Sequence, residues 1–594
     1  MKTVIRYFVL LYILTACNAG NQPKFFIPVT EATDRVIERI IRQTPTERLD
    51  SLDDAFVMNF ITKEEKRIFA DNHWVFTVDR PAMVSVMRHK QQAIAPFWLV
   101  EKGFVNTGKT VKNQEYEYEV WQKQYPAGII HLGINGFDLH RVVYFVTIGP
   151  ATKGDTLHIT DFYPAEWPVI TMQEGAYMYN DWDELTVQEM PDELRGHTLF
   201  TTIRGRAREA CIVKCFRTTE YPSSVTPDQT VLTWDNDPST TQAIQWRTDT
   251  TVTDGYVRYR KSGAAEKDVQ EVSATFVRLK DVYISNDIEV NHWGVTITDL
   301  SPGTRYEYTI GSQQHNTHSK TYSFKTAPAK DARFTFIFLG DTHNADIVKP
   351  VMEQAMRDCP DAAFLTHSGD HVNTGLFRDL WEKYIALGQD VFANLAFMPA
   401  LGNHDSQDGL PPILYTRLFR LPTNNNCNLT AGRNYSFKYA NARFFSIDAT
   451  GNVDDIACWL NSELMHTTET WKIAVMHFPP YTTDNSYADL REKWCSLFDK
   501  YHVDLVLSGH IHQYFRSYPL AYNEVADNPA KGVVYVSSVV VETREKGVPS
   551  SKYNPVFANK GGLYQLITIN GNQLDFLSKC IDGQIIDKFQ ITKP

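Results

Sequence analysis

Five short groups of Asp, Asn and His residues follow apolar runs between residues 340 and 512 of this chain. These side chains are the usual ligands of hard and borderline divalent metal ions. If each apolar run is a buried strand, each group lies at a strand end, where open α/β sheets bind ligands. The sequence therefore predicts a site for two metal ions. The groups are Gly340-Asp341-Thr342-His343, Gly369-Asp370, Gly402-Asn403-His404-Asp405, His477 and Gly509-His510-Ile511-His512.

The spacing within these groups indicates how the ligands divide between two ions. Asp341 and His343 are two residues apart, so both can point into one cleft from an extended turn. His510 and His512 share one face of an extended segment for the same reason, and each can reach a different ion. Asp370 follows a glycine, which lets the backbone approach closely. Its two carboxylate oxygens can bridge the pair.

The elements that position these groups alternate between strand and helix after Asp331. Such alternation predicts an α/β layered core. The predicted elements are strands over Arg333–Leu339, Ala362–Thr366, Ala396–Leu401, Arg443–Ile447, Lys472–Met476 and Leu505–Leu507, helices over Val348–Cys359 and Leu376–Phe392, and tail strands near Val533, Leu563 and Ile585.

The preceding residues predict β-rich domains. Between Tyr221 and Pro328, polar and apolar residues alternate as in half-buried strands, and Leu300-Ser301-Pro302-Gly303 marks a turn before a Tyr-rich strand. Residues 36–220 contain strand-like runs after two predicted helices, near 34–42 and 63–70. Residues 18–35 are polar without a clear period, which indicates a tether.

The metal-ligand groups resemble those of the calcineurin-like metallophosphoesterase superfamily, over about residues 331–540. The sequence segments around His477 and His510 resemble those of the purple acid phosphatase branch, in which a fibronectin type III-like sandwich precedes the catalytic domain. The resemblance implies a multidomain fold with an αββα-type layered catalytic domain. The expected divisions are 1–17 signal peptide, 18–220 tether and unassigned β-rich domain, 221–328 fibronectin III-like sandwich and 329–594 catalytic domain.

The resemblance also implies a role for each matching residue. His404 would donate a proton to the leaving group or stabilise charge on the phosphoryl oxygens, and a metal-bridging hydroxide would attack phosphorus. Asp405 would orient His404, although a local turn salt bridge is an alternative. The first metal would be held by Asp341, His343, Asp370 and His512, and the second by Asp370, Asn403, His477 and His510.

Two departures from the purple acid phosphatase pattern bear on the metals. That branch carries a tyrosine three residues after the bridging aspartate, where this chain has Asn373, and glycine where it has His343. Without that tyrosine, a purple Fe(III)-tyrosinate centre is not expected. The prediction is two divalent ions drawn from Zn, Mn or Fe.

Substrate contacts follow less directly from the sequence. The candidates are His371, Asn403 and His404, which lie within or beside the metal-ligand groups. For His371, the alternatives are to support a metal ligand from behind or to cap a turn. Two interpretations are open for the aromatic residues near the predicted cleft: they stack on a base or sugar of the substrate, or they only pack against other residues. They are Tyr481, Tyr487, Tyr514 and Phe515.

The first residues resemble a bacterial lipoprotein signal. A basic start precedes the apolar stretch Val4–Leu14, which is too short to span a bilayer and ends in Leu14-Thr15-Ala16-Cys17. The resemblance implies acylation of Cys17 and export to the bacterial cell envelope, with the lipid as the only membrane contact. An ordinary secretory signal is the alternative. Seven cysteines would then remain, with no pairing assigned.

The net charge of −11, without a long basic run, gives no support for nucleic-acid binding. The expected partner is a small phosphate ester. We carry three hypotheses: a purple acid phosphatase-like phosphomonoesterase, a phosphodiesterase or nucleotide pyrophosphatase on the same centre, and a surface binding protein with an inactive hydrolase domain. The intact ligand set argues against the third.

Overall fold

The computed structural model describes residues 26–423, 429–482, 487–526, 531–543 and 552–594. The predicted signal peptide and Cys17 lie outside the described residues. Among those described, no helix combines the length and apolar character that a membrane crossing requires. The chain divides into two compact units, the first ending at Phe216 and the second beginning at Arg217.

The first unit is rich in β-structure, with a six-stranded sheet in the order β3-β4-β2-β6-β9-β8 and a three-stranded sheet in the order β5-β1-β7. Its strands are β1 Trp74–Val78, β2 Ala82–His89, β3 Val105–Lys112, β4 Glu117–Tyr125, β5 Gly128–Leu132, β6 Phe145–Pro150, β7 Ile159–Tyr163, β8 Val169–Thr171 and β9 Thr198–Phe200. Its α-helices are α1 Val29–Gln43, α2 Asp54–Phe60, α3 Lys63–Asp71 and α4 Phe97–Glu101.

Helix α1 corrects the predicted tether, which extended to residue 35. The helix begins at Val29 and buries Val29, Ala32, Val36, Ile37 and Ile40 along one face. The spacing of these residues is that of an amphipathic helix. Ala32 weakened the apolar pattern at its start, because alanine contributes little hydrophobic surface although it favours helix.

A disulfide joins Cys211 to Cys215 in the same unit. The sequence could not assign this pair, because cysteine spacing alone does not fix connectivity.

The second unit begins with a β-sandwich. One sheet has the order β10-β11-β15-β14, and the other has the order β13-β12-β16-β17 with β18 also paired to β16. The indole rings of Trp246 and Trp293 stack in its core with centroids 6.0 Å apart. Its strands are β10 Asp228–Thr233, β11 Gln242–Thr248, β12 Tyr256–Lys261, β13 Gln270–Ser273, β14 Thr275–Lys280, β15 Glu289–Ile297, β16 Arg305–Ser312, β17 Thr317–His318 and β18 Tyr322–Lys325.

Two larger sheets follow, in the orders β21-β20-β19-β31-β32-β33 and β22-β23-β24-β25-β29-β26-β30, together with a small hairpin of β27 and β28. The strands are β19 Phe334–Leu339, β20 Leu365–His367, β21 Phe397–Pro399, β22 Tyr435–Tyr439, β23 Ala442–Ile447, β24 Trp471–Met476, β25 Leu505–Ser508, β26 Tyr514–Arg516, β27 Leu520–Ala521, β28 Glu524–Val525, β29 Val534–Ser537, β30 Val556–Ala558, β31 Leu563–Asn570, β32 Gln573–Cys580 and β33 Ile585–Thr592.

Alternation along β23 and β24 shows how the layers pack. Phe444 and Ile473 belong to a core shared with the first sheet, whereas Phe445 and Ala474 pack with helices α10 and α12 on the other face. The predicted multidomain, layered fold is confirmed. The helices of this region are α5 Val348–Asp358, α6 Arg378–Leu387, α7 Gln389–Phe392, α8 Asn403–Ser406, α9 Ile413–Leu418, α10 Val453–Met465, α11 Ala488–Leu490 and α12 Ser496–Tyr501, with a π-helical turn at Arg491–Cys495.

One predicted helix is two. The apolar pattern over Leu376–Phe392 predicted a single helix, but α6 ends at Leu387 and α7 begins at Gln389. Gly388 lies between them with φ −101° and ψ 10°. Glycine has a low helix propensity and readily ends a helix, which explains the break.

An acid-sensitive ion cluster in the first unit gives a test of this fold. The Glu209 carboxylate lies 2.8 Å from His73 Nδ1 and 2.8 Å from Arg206 Nε. Burial acts to raise the pKa of Glu209, but the charges of Arg206 and His73 outweigh it and lower that pKa from 4.5 to about 2.

Because the pKa of Glu209 is lower in the folded than in the unfolded protein, the folded state binds fewer protons. The contribution of Glu209 to stability is therefore lost as pH falls from 4.5 to about 2. We expect urea midpoints of the wild type to fall between pH 5 and 3 more steeply than those of Glu209→Gln. Parallel declines in the two proteins would contradict this assignment.

Candidate metal centre

The predicted ligand groups lie at the carboxyl ends of five strands. In the first large sheet, β19, β20 and β21 run parallel, with Ile337 beside Leu365 and Leu365 beside Phe397. In the second, β24 and β25 run parallel, with Ile473 beside Leu505. The residues that follow these strands carry the five groups, so residues from both sheets meet at one site.

Four of the predicted ligands lie in left-handed, strained backbone. The φ angles are 45° at His343, 57° at Asp370, 69° at His510 and 58° at His512. Residues with a Cβ disfavour this left-handed region by roughly 1–2 kcal/mol each. Such conformations persist where the surrounding structure imposes them, and they concentrate at functional sites.

The first cluster contains Asp341, His343 and His512. One ligand atom from each lies within 4.8 Å of the others. His512 Nε2 is 3.1 Å from Asp341 Oδ2 and 3.0 Å from His343 Nε2. All three side chains are buried.

The second cluster contains Asp370, His477 and His510 within the same limit of 4.8 Å. His477 Nε2 lies 3.2 Å from Asp370 Oδ2, 3.2 Å from His510 Nδ1 and 3.0 Å from Asn403 Oδ1. The Asn403 oxygen therefore joins this cluster as a neutral donor.

Asp370 lies between the two clusters. Its Oδ2 atom is 3.6 Å from His343 Nε2 on one side and 3.2 Å from His477 Nε2 on the other. Its Oδ1 atom accepts a hydrogen bond of 2.8 Å from the His404 amide. One carboxylate oxygen is thus within reach of both groups of donors.

The donors fit divalent metal ions. His477 Nδ1 donates to the Ser368 carbonyl oxygen at 3.1 Å, which directs its Nε2 atom toward Asp370 and Asn403. A backbone partner of this kind fixes the tautomer of metal-binding histidines. The mixture of imidazole nitrogens with carboxylate and amide oxygens suits Zn, Mn or Fe.

Electrostatic coupling in the site is strong. Burial acts to raise the pKa of Asp370, but the charge and hydrogen bond of His477 outweigh it and hold that pKa well below its ordinary value. Burial acts to lower the pKa of His477, and Asp370 overcomes this and raises it to about 9. Each group therefore favours the charged form of the other.

His404 lies at the edge of the first cluster. Its ring is perpendicular to that of His343, with centroids 4.8 Å apart. Its Nδ1 atom donates to the Asn373 carbonyl oxygen at 2.8 Å. The Asn373 side chain in turn donates to the His343 carbonyl oxygen at 3.2 Å, so the residue that replaces the tyrosine holds this loop.

The assignment of Asp405 is wrong, and for His371 the structure favours the alternative to substrate contact. Asp405 does not orient His404: its carboxylate accepts hydrogen bonds from the amides of Asp370, His371 and Gly402 and from His371 Nδ1. His371 is fully buried and faces Asp405 rather than substrate. No local pattern predicts this pairing, because the two residues are 34 positions apart in the chain.

The predicted stacking residues also separate. Tyr481, Tyr514 and Phe515 are buried and serve in packing. Tyr487 is partly exposed, with its ring 5.2 Å from that of Phe478 and 6.2 Å from that of His510.

Phe478 also lies beside the site, although it was not among the predicted site residues. Its ring lies 4.7 Å from His510, and its position directly after His477 was the signal that could have identified it.

Comparisons with known proteins bear on both parts of the second unit. Residues 227–326 match the purple acid phosphatase N-terminal domain, and residues 334–514 match the calcineurin-like phosphoesterase domain. A purple acid phosphatase from yellow lupin (Lupinus luteus) seeds has a similar fold, with a TM-score of 0.54 and 14% identity, over 87% of this chain and 93% of that one.

Relatives by sequence include an uncharacterized protein of Mycobacterium tuberculosis, 26% identical over 361 residues, 53% of this chain. The match spans 65% of that relative's length. Purple acid phosphatase 21 of Arabidopsis thaliana is 26% identical over 279 residues, covering 41% of this chain and 57% of its own.

"Probable inactive purple acid phosphatase 24" of the same plant is 23% identical over 354 residues, covering 50% of this chain and 57% of its own. Because one of these relatives is named as inactive and another is not, similarity alone does not show activity. The evidence for activity is the set of predicted ligands. The fold implies divalent metal ions as cofactors. The second unit therefore contains a calcineurin-like phosphoesterase domain, preceded by a domain that matches the N-terminal domain of the purple acid phosphatases.

Proposed function

We propose that this protein hydrolyses phosphate monoesters at a centre of two divalent cations. The observation that carries the proposal is the position of Asp370 Oδ2, 3.6 Å from His343 Nε2 and 3.2 Å from His477 Nε2. A carboxylate between two sets of nitrogen donors suits a ligand shared by two ions. Asp341 and His512 complete the first set, and Asn403 and His510 complete the second.

Two divalent cations held here would neutralise charge on the phosphoryl oxygens and make a water molecule acidic enough to attack near neutral pH. The protein's own contribution is a rigid, buried donor set. Asp341, Asp370 and His477 are at most 1% exposed, so their charges act in a poorly screened environment.

His404 is the proposed proton donor to the leaving group. Because its Nδ1 atom donates to the Asn373 carbonyl oxygen, Nε2 is the nitrogen left to face the leaving group, and in the imidazolium form it carries the proton to be transferred. The side chain is only partly buried, in contrast to Asp341, Asp370 and His477, so a substrate can reach it. Asn403, equally accessible, is the second residue placed to contact a bound phosphoryl group.

Monoesters are favoured over diesters on charge. A monoester brings a terminal phosphoryl group with two negative charges near neutral pH, which two cations and His404 together compensate. A diester brings one. Asp405 does not bear on this choice, because its carboxylate binds backbone amides rather than facing a substrate.

We further propose that the enzyme is exported and lipid-anchored through Cys17. The Leu14-Thr15-Ala16-Cys17 sequence supports this. The Cys211–Cys215 disulfide supports it as well, because disulfides persist in oxidising compartments.

Replacement of the shared ligand tests the metal centre. We expect Asp370→Asn to lose metal after dialysis against Mn²⁺ or Zn²⁺, because an amide cannot supply the charge that holds two cations together. Elemental analysis should give two equivalents for the wild type and fewer for the variant. Asp361→Asn is the matched control, since the Asp361 side chain is 90% exposed. Full occupancy in Asp370→Asn would contradict a shared ligand.

Replacement of His404 tests proton donation. We expect His404→Gln to reduce kcat on an alkyl phosphate roughly 10²–10⁴-fold. The loss on nitrophenyl phosphate should be smaller, because nitrophenolate leaves without a proton. Metal content should stay unchanged, and His466→Gln, at an exposed helix end, should behave as wild type. Equal losses on both esters would exclude the acid role.

A substrate pair tests ester class. We expect a larger kcat/KM for nitrophenyl phosphate than for bis(nitrophenyl) phosphate, because two cations and His404 compensate the two negative charges of the monoester. The measurement uses the metal-loaded wild type at one pH. A faster diester reaction would replace our proposal with the phosphodiesterase hypothesis, and no reaction with either ester would favour the inactive binding protein.

A further inference from the structure

We propose that His371 is a positioning residue that locks the Asp405 carboxylate, and through it the two loops that carry Asp370 and Asn403. This inference rests on the metal centre of the proposed function. It concerns no contact with substrate. It predicts that a side chain which binds no metal controls how tightly metal is held.

The Asp405 carboxylate joins two loops from neighbouring strands. One oxygen accepts from the Asp370 amide at 2.9 Å and from the Gly402 amide at 2.9 Å. The other accepts from the His371 amide at 3.0 Å. The carboxylate therefore sets the distance between the loop of the shared ligand and the loop that begins at Asn403.

The His371 imidazole fixes that carboxylate. Its Nδ1 atom donates to Asp405 Oδ2 at 2.8 Å. Both side chains are 0% exposed, so this hydrogen bond is not weakened by competing water. Within the described part of the chain, Nε2 of His371 has no hydrogen-bond partner. The ring therefore acts through one nitrogen only.

Packed rings hold the imidazole in this orientation. The His367 ring stacks on it with centroids 4.2 Å apart, and the Trp381 and Tyr384 rings lie 5.6 and 5.5 Å away. Phe397 closes a further side at 5.7 Å. A ring confined in this way cannot turn away from Asp405 without opening the core.

The two loops have no room to adjust. A Cβ atom on Gly402 would lie 2.1 Å from the Asp370 amide nitrogen, and one on Gly375 would lie 1.9 Å from the Asp405 carbonyl oxygen. Contacts this close make the ligand positions sensitive to any rotation of Asp405. Loss of comparable outer-shell partners costs about 10–100-fold in metal affinity.

Helix α6 connects this cluster to the sandwich. Trp381 and Tyr384 belong to α6, and so does Glu382, whose carboxylate lies 2.8 Å from Arg247 of strand β11. The sandwich domain thus holds the helix that packs against His371.

Two substitutions of His371 separate its hydrogen bond from its bulk. An Asn amide nitrogen can occupy the place of Nδ1, whereas a Gln amide reaches toward the place of Nε2. We expect His371→Asn to bind two equivalents of Mn²⁺ with near wild-type affinity. We expect His371→Gln to bind at least one equivalent about 10–100-fold more weakly. The measurement is calorimetric titration of metal-free protein with Mn²⁺ alone.

The absorption spectrum of the Co²⁺-loaded proteins provides a second readout, since it reports ligand geometry rather than stability. It should change in His371→Gln and be retained in His371→Asn. His292→Gln is the matched control, because it replaces another buried histidine of the same unit, on strand β15, and should bind metal as wild type.

Equal Mn²⁺ affinity in His371→Gln and wild type would overturn this inference alone. Equal weakening in His371→Asn, His371→Gln and His292→Gln would also overturn it, since the effect would then be general destabilisation. A wild type that binds no Mn²⁺ or Co²⁺ would overturn both this inference and the proposed function.

Discussion

The buried carboxylate of Asp370 is the constraint on which the catalytic region depends. A buried charge is costly unless nearby groups compensate it. Here one oxygen accepts a hydrogen bond from the His404 amide, and the other faces His343 and His477. The backbone of Asp370 is left-handed, with φ 57°. The site is therefore built around one carboxylate that faces both clusters of predicted ligands.

The sheet topology explains how such a site can form. Three parallel strands of one sheet and two of the other end at the same cleft, so ligands distant in the chain arrive side by side. Tight contacts between the loops then restrict them. Gly369 has no space for a Cβ, which would lie 2.4 Å from the Gly402 amide nitrogen. Glycine in these groups thus serves close approach rather than flexibility.

The sandwich contributes through packing and charge. Arg247 of β11 lies 2.8 Å from the Glu382 carboxylate of helix α6, and Arg378 of the same helix lies 2.5 Å from that carboxylate. Breaking one partner of such a buried group is strongly destabilising, because a charge is left without compensation. The helix held in this way presents Trp381 to His371, so the β-sandwich and the metal site are parts of one packed structure.

The sequence by itself determined the fold class and predicted the seven ligands. Groups at strand ends, such as Asp341-Thr342-His343, can be recognised from local patterns alone. It also placed the five strands that precede these groups, since burial on both faces leaves continuous apolar runs. It missed the start of α1 at Val29 and the break at Gly388, where local propensity and packing compete. Only the tertiary structure decided which side chain Asp405 holds, because hydrogen-bond partners 34 or 35 residues apart follow from how strands are ordered, not from spacing along the chain.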